Sequence, residues 1–281
     1  MPLLSILFAS LASAACTRET LSSTFDTFLN SSISKANFST TLGLSPTLRI
    51  SQNNILLKTL PETIYTNTTS LYKPFRIQVI DHEVCEIATF VLLNQNTEPA
   101  LASIRIKTRE DGKTIQELEI LNVLKGSHAF FAPQTFPQTA PPMWSTPTTG
   151  EGNLTRTQLI QIANLYPSGI QAGDGSAIPG APTCPRIENG VLTSTTCYKN
   201  LANFKQPVTN RRWIADTVTG VVLGGFYFDK PAAKGSKFGL WLNEYFKIEG
   251  GRLAGVEAAM KELWGVPWVD VWGPEGRGVS V

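Results

Sequence analysis

Residues 241–263 read WLNEYFKIEGGRLAGVEAAMKEL, and they predict a β-hairpin. Two apolar-rich arms flank Gly250-Gly251, and a pair of glycines between such arms is typical of a tight hairpin turn. A second hairpin is predicted for residues 104–123, with its turn at Asp111-Gly112. Because each hairpin stands near the end of one half of the chain, the sequence predicts two related units.

The elements that precede the two hairpins repeat in the same order. They are a capped helix (residues 17–30 and 155–165), a short strand that enters a turn (48–54 and 185–190) and a pair of longer strands (74–93 and 207–229). After the first hairpin, residues 132–152 carry five prolines and no hydrophobic period, which indicates a linker laid over the surface. The fold class is therefore predicted to be α+β, with two fused halves.

These features give four predicted segments. They are a signal peptide (1–15), a first α+β half (16–131), the Pro-rich linker (132–152) and a second α+β half with an aromatic C-terminal tail (153–281). Three tryptophans of that tail are expected to pack across a half or over a cavity mouth: Trp264, Trp268 and Trp272.

The N-terminal residues have the pattern of an export signal. An apolar run from Leu3 to Leu11 precedes Ala12-Ser13-Ala14, a small-residue cleavage site. The alternative is a buried N-terminal strand or an anchor, although the run is shorter than the roughly 20 residues that span a bilayer. We therefore expect a protein of the secretory pathway or the extracellular space, without stable membrane insertion. Four sequons are potential glycosylation sites: Asn30, Asn37, Asn67 and Asn153.

The chain has four cysteines, an even number that suits an oxidising compartment. Cys184 and Cys197 flank Asn189-Gly190, a tight-turn signal that would bring them together. We therefore predict that Cys184 bonds Cys197 and that Cys16 bonds Cys85.

Composition excludes several function classes. Charged residues make up 16% of the chain, the net charge is +2, and no basic stripe is present, so nucleic acid is not expected as a partner. The two histidines offer little for a histidine metal site or a Ser-His-Asp triad. No phosphate loop or dinucleotide fingerprint occurs in the sequence, so we predict no metal and no cofactor.

The second hairpin supplies candidate catalytic residues. A two-residue turn at Gly250-Gly251 places Glu249 opposite Arg252, and counting back places Glu244 opposite Glu257. Like charges that face each other destabilise a sheet unless one group is protonated or a cation lies between them. We therefore predict one protonated carboxyl group, available as a general acid.

The neighbours of this predicted pair suggest a pocket. Leu242 and Phe246 are expected on its face, with the small residues Gly255 and Ala259 opposite, which would leave a hollow with apolar walls. Two alternatives stay open. Both glutamates could lie on a solvated face, or a one-residue slip of the register could remove the pairing.

Other candidates lie in neighbouring strands. Arg212 is predicted as a third catalytic residue, and with Asp216 it could hold an oxygenated ligand or belong to a structural ion-pair network with Arg211. His82 could be a general acid or an ordinary edge-strand residue. Three aromatic side chains are expected to bind substrate: Trp213, Trp241 and Tyr245.

Five segments form a set of motifs: residues 15–19 (ACTRE), 184–190 (CPRIENG), 210–213 (NRRW), 243–252 (NEYFKIEGGR) and 256–258 (VEA). Together they resemble a fungal family of secreted proteins whose halves are similar to nuclear transport factor 2 and the SnoaL-like cyclases. The resemblance implies two cone-like halves, each with helices on a curved, mostly antiparallel sheet. One departure is Lys230, which stands where that pattern has histidine.

Some relatives in this family resemble the hetero-Diels-Alderases of tropolonic sesquiterpenoid biosynthesis. The resemblance implies a cofactor-free enzyme that dehydrates a tropolone alcohol to a quinone methide and adds it to a humulene-type sesquiterpene. Its partners would then be apolar small molecules of polyketide and terpene origin. The alternatives are a SnoaL-like cyclase, isomerase or dehydratase, and a secreted, non-enzymatic protein that binds a hydrophobic ligand.

Overall fold

The computed structural model describes residues 16–148, 154–199, 201–231 and 237–264. Within them the chain forms two similar α+β halves, each with one long helix and a six-stranded mixed sheet. The first half contains α1 (Arg18–Ser34), α2 (Phe38–Thr41), β1 (Leu44–Gln52), β2 (Ile55–Leu57), α3 (Ile64–Asn67), β3 (Thr68–Asp81), β4 (Glu86–Gln95), β5 (Glu98–Thr108) and β6 (Ile115–Val123). The second contains α4 (Arg156–Ala172), β7 (Arg186–Glu188), β8 (Val191–Ser194), β9 (Val208–Asp216), β10 (Val221–Pro231), β11 (Lys237–Glu249) and β12 (Arg252–Trp264).

The two sheets have the same topology. Their strand orders are β2-β1-β6-β5-β4-β3 and β8-β7-β12-β11-β10-β9. The last strand of each hairpin, β6 or β12, pairs in parallel with β1 or β7, respectively. The other strand pairs are antiparallel. The predicted α+β class and the predicted duplication are confirmed.

Both long helices start as predicted and run further. Thr17 and Thr155 each cap the first turn with a capping box. The second helix was expected to end at residue 165, before Pro167, but it continues to Ala172. The proline removes one backbone N–H, and the buried side chains of Tyr166 and Ile170 on either side of it keep the helix against the sheet.

The halves pack sheet against sheet, with the helices outside. One apolar cluster lies under α1, a second under α4, and a third between the sheets. In the third cluster Phe90 of the first half meets Tyr245 of the second edge to face, with 5.9 Å between ring centroids. Each sheet thus has a face toward its own helix and a face toward the other half.

Two buried aspartates join the halves reciprocally. Asp81 ends β3 and accepts hydrogen bonds from Nε of Arg156 in α4 (2.7 Å) and from a backbone N–H of β9 (3.0 Å). Asp216 ends β9 and accepts from Nη1 of Arg18 in α1 (2.7 Å) and from a backbone N–H of β3 (3.3 Å). We call these four side chains the clasp. An aspartate of each half thus pairs with the arginine that begins the long helix of the other half.

Residues 132–148, which we call the strap, were predicted to lie over the surface. They contain 3-10 turns at Pro133–Thr135 and Pro142–Trp144, and their Phe136 and Trp144 side chains are buried in the cluster between the sheets. At one end Lys73 donates to the carbonyl of Gln134 (2.8 Å), and at the other Lys247 donates to that of Thr146 (3.3 Å). Most of the strap is thus exposed, as expected of a surface linker, and two aromatic side chains anchor it to the core because large aromatic groups favour burial.

Both predicted disulfides, Cys16–Cys85 and Cys184–Cys197, are confirmed. None of the described helices is long and apolar enough to cross a membrane. Three sequon asparagines are exposed: Asn30, Asn37 and Asn67. Several predictions fall outside the described residues: the signal peptide, Asn153, the tail after residue 264 and the side chain of Trp264.

Candidate functional site

The predicted turn of the second hairpin is correct, but the strands beyond it are offset. Glu249 pairs with Arg252 across Gly250-Gly251, as expected. Ile248 then pairs with Leu253 and Lys247 with Gly255, so Ala254 is an extra residue in a β-bulge. Every later pair is shifted by one residue.

The bulge separates the predicted carboxylate pair. Glu244 pairs with Ala258, and Glu257 pairs with Tyr245. Adjacent positions of a strand point to opposite faces of a sheet, so Glu244 faces α4 and Glu257 faces the other half. The prediction that they face each other is therefore wrong.

The predicted walls of the pocket divide in the same way. Leu242 and Phe246 lie on the face of Glu244, as predicted, in the cluster under α4. Gly255 and Ala259 share the face of Glu257, because the bulge moves the whole of β12 by one position.

Glu244 instead has Glu188 of β7 as its carboxylate neighbour. Ala258 pairs with Glu188 on one side and with Glu244 on the other, so the two glutamates flank an alanine in one row across three strands. Strands are spaced by about 4.8 Å, which puts their Cα atoms roughly 10 Å apart on one face. Their side chains therefore lie on the same face, one on each side of Ala258, and Glu188 repels the charged form of Glu244.

Two further polar side chains complete this group. Nε of Arg186, on β7, lies 3.4 Å from Oε1 of Glu188, and its Nη1 donates to the hydroxyl of Tyr166 on α4 (3.3 Å). We call Glu188, Glu244, Arg186 and Tyr166 the acid–base cluster. The guanidinium keeps a positive charge beside one carboxylate of the pair.

The two glutamates differ in environment. Glu244 is 1% exposed, and its Oε2 has no hydrogen-bond partner among the residues that the structure describes. Burial raises the pKa of Glu244 to about 8, repulsion by Glu188 adds to this rise, and attraction by Arg186 opposes it. Glu244 is thus protonated at neutral pH, while Glu188 lies beside the guanidinium of Arg186.

The first half shows that the fold does not require these polar groups. The row Glu188–Ala258–Glu244 corresponds to Gln52–Ile120–Ile104. Arg186 corresponds to Ile50, and Tyr166, the eleventh residue of its helix, to Phe28. Taking two carboxyl groups and a guanidinium out of water costs several kcal/mol per ion before pairing. Because the second half holds this cluster at such a cost and the first half lacks it, the cluster is the candidate functional site.

Residues 152–260 match a domain of unknown function, DUF8021. All four members of the acid–base cluster fall within the matched segment. No curated protein matches the chain.

The other predicted catalytic and binding residues are not joined to this cluster. Arg212 makes a bidentate ion pair with Glu119 of the first half, and Arg211 donates to side chains of α4. Asp216 belongs to the clasp. The contacts therefore favour the structural alternative. Arg212 joins an ion-pair network of the first half through Glu119 and Arg105, whereas Arg211 contacts neutral side chains and Asp216 pairs with Arg18.

The aromatic candidates lie on different faces. Trp213 is under α4, with its ring centroid 6.2 Å from that of Phe246. Trp241 and Tyr245 lie between the sheets. His82 was expected in a strand but lies exposed in the turn that joins β3 to β4, because the strand ends at Asp81.

Proposed function

We propose that the protein is a secreted, cofactor-independent acid–base enzyme for an oxygenated apolar substrate, with Glu244 as the general acid and Glu188 as the base. The observation that carries this proposal is the row of Glu188 and Glu244 over Ala258. A buried, protonated carboxyl group and a second carboxyl group beside an arginine suit acid and base roles, because their environments differ. Leu242, Phe246 and Trp213 supply apolar surface on the same face of the sheet.

Dehydration is the reaction class that these groups suit. Glu244 protonates a hydroxyl group, which leaves as water, and Glu188 accepts the proton of a second, acidic hydroxyl on the same substrate. The substrate loses one water and becomes a neutral conjugated product. The glutamates have then exchanged protonation states, and proton transfer across Ala258 restores the original one. Acid catalysis of this kind contributes about 10²–10⁴-fold.

The resemblance described above suggests which dehydration this is. A tropolone alcohol that loses water gives a quinone methide, and its addition to a humulene-type alkene needs no further proton transfer. Holding the two apolar partners in a reactive pose can supply roughly 7–11 kcal/mol. We therefore propose a hetero-Diels-Alderase, in SnoaL-like halves, as the specific activity.

A SnoaL-like isomerase is the second candidate. Its support is the presence of a protonated carboxyl group and a second one beside an arginine on the same face, because proton removal at one carbon and delivery at another requires an acid and a base. An isomerase would convert its substrate without loss of water.

Incubation of the purified protein with a tropolone alcohol and a humulene-type alcohol tests the proposal. We expect adduct formation above a protein-free blank, and a fall of about 10²-fold or more in turnover for Glu244→Gln and for Glu188→Gln. Glu249→Gln is the matched control, because Glu249 lies on the same strand but is exposed. Full turnover in Glu244→Gln would falsify the acid role, and a product of unchanged mass would favour the isomerase.

A further inference from the structure

A separate cavity lies on the other face of the second sheet. It has a volume of about 350 Å³, within the range of small-molecule sites. It opens between the strap and the β7–β8 hairpin. Its lining includes Phe75, Phe136, Trp144, Ile187, Leu192 and Glu257. Since it lies on the face opposite the acid–base cluster, it is a second site.

Glu257 is the titratable residue of this cavity lining. Its side chain is 1% exposed, and Oε1 has no hydrogen-bond partner in the described part of the chain. Burial raises the pKa of Glu257 well above its usual value, which favours the neutral carboxylic acid, a hydrogen-bond donor. The walls around it are largely apolar and aromatic.

The corresponding carboxylate in the first half has two arginines. Glu119 pairs across the strands with Arg105, as Glu257 pairs with Tyr245. It also forms the bidentate ion pair with Arg212 of the other half. Its charge is therefore compensated, which is the usual condition for a buried carboxylate.

Neither arginine has a counterpart at Glu257. The place of Arg105 is taken by Tyr245, whose hydroxyl is hydrogen-bonded to Ser103 (2.8 Å). The place of Arg212 in the first half is taken by Ile77. The same fold thus provides cations for one glutamate and leaves the other as an uncharged donor beside an open cavity.

The cavity walls are fixed to each other. The backbone N–H of Ala132 donates to the carbonyl of Asn189 (2.9 Å), and Thr135 donates to that of Gly190. Gly190 has φ of +87°, and a side chain there would strike the backbone of the strap. The site is therefore preformed, and its exposed Leu192 marks the mouth.

We propose that this cavity binds a neutral, largely apolar small molecule whose carbonyl or ether oxygen accepts a hydrogen bond from Glu257. Aromatic side chains on the strap and β3 enclose the apolar body of the ligand. The carboxylic acid supplies the polar contact that fixes its orientation. This site is independent of the proposed acid–base activity, because it lies on the opposite face of the sheet.

Titration with prodan, a neutral naphthalene dye that carries a ketone, tests this inference. We expect saturable binding, detected by dye fluorescence and by quenching of tryptophan fluorescence. Glu257→Leu should weaken prodan binding about tenfold, the effect of one buried hydrogen bond, and leave 2-(dimethylamino)naphthalene, which lacks the ketone, unaffected. Glu257→Gln keeps a donor and should retain the preference for the ketone.

Two cavity variants and two control variants test where the dye binds. Ile187→Trp fills the cavity and Leu192→Trp narrows its mouth, and each should abolish binding. Leu56→Trp is the matched control, because Leu56 holds the place of Leu192 on the edge strand of the first half and should leave prodan binding unchanged. Glu244→Gln should also bind prodan normally. Loss of binding in Glu244→Gln, or unchanged binding in both cavity variants with native circular dichroism, overturns the inference.

Discussion

Ala258 determines how the two glutamates of the acid–base cluster meet. Its methyl group stands between Glu188 and Glu244 in the row across β7, β12 and β11. The larger Ile120 holds the same place in the first half, between Gln52 and Ile104. A small residue at this point leaves room for two carboxyl groups to approach, and their approach is what raises the proton affinity of Glu244 beyond the effect of burial.

The proton on Glu244 makes stability depend on pH. An unfolded glutamate has a pKa of about 4.5 and folded Glu244 one of about 8, so the native state binds more protons between these values. The free energy of unfolding therefore falls as pH rises from 4.5 to 8, by up to about 1.4 kcal/mol per pH unit. Burial of Glu257 acts in the same direction.

Denaturant unfolding of wild type and Glu244→Gln at pH 5, 6, 7 and 8 measures this contribution. We expect the wild type to lose more stability than the variant over this interval, because the amide does not titrate. The other titrating groups are the same in both proteins, so the difference between the two free energies of unfolding reports the titration of Glu244. Parallel stability curves for the two proteins would show that Glu244 is ionised throughout and cannot act as the acid.

At the scale of elements, the short strand β7 supplies Arg186 and Glu188 from only three residues. It is held by parallel pairing with β12 and by the Cys184–Cys197 disulfide directly before it. Its position, and so the geometry of the acid–base cluster, depends on both contacts.

Removal of each disulfide in turn tests that dependence. Cys184→Ser with Cys197→Ser should lower the free energy of unfolding by about 2–4 kcal/mol and should also lower turnover of the folded protein, because β7 loses an anchor. Cys16→Ser with Cys85→Ser is the matched control, and should cost comparable stability while turnover of the folded fraction is kept. Equal turnover in the two double variants would mean that pairing with β12 and β8 positions β7 without the disulfide.

Local patterns predicted the elements but not the site. Gly250-Gly251 indicates a turn, because both residues adopt positive φ, which glycine tolerates. Thr17 and Thr155 indicate the starts of the two long helices. The bulge at Ala254 has no such signature, since a bulged alanine looks like any other strand residue. The pairing of Glu188 with Ala258 joins residues far apart in sequence, in parallel strands, so no local pattern encodes it. The motif containing Arg186 and Glu188 was visible, but its partner strand was not.

At the scale of the whole molecule, the contacts that join the two halves and the acid–base cluster lie on different faces of the sheets. The faces between the halves carry the shared apolar core and the clasp, while the face under α4 carries the acid–base cluster. The first half repeats the scaffold with an apolar interior under α1. The second half thus holds its buried polar groups beside an apolar cluster of its own, and the core between the halves adds further burial.

We expect the clasp to couple the two halves into one folding unit, so that its loss lowers the stability of the whole protein. Asp81→Asn should lower the free energy of unfolding by about 3–5 kcal/mol, the usual effect of breaking a buried ion pair, because the side chain of Arg156 is only 13% exposed. Asp216→Asn should cost less, since Arg18 is 34% exposed and water can solvate it. Asp26→Asn, which breaks an exposed pair with Arg76, is the control and should change stability by at most about 1 kcal/mol.

Thermal unfolding followed by near-ultraviolet circular dichroism and by calorimetry distinguishes the outcomes. With an intact clasp and a shared core, we expect one transition for the wild type, for each single variant and for the control. The double variant Asp81→Asn/Asp216→Asn removes both reciprocal ties, and we expect its transition to broaden or split as the halves unfold separately. An unchanged melting temperature in Asp81→Asn would mean that the clasp contributes no stability, and two transitions in the wild type would mean that the halves unfold as independent domains.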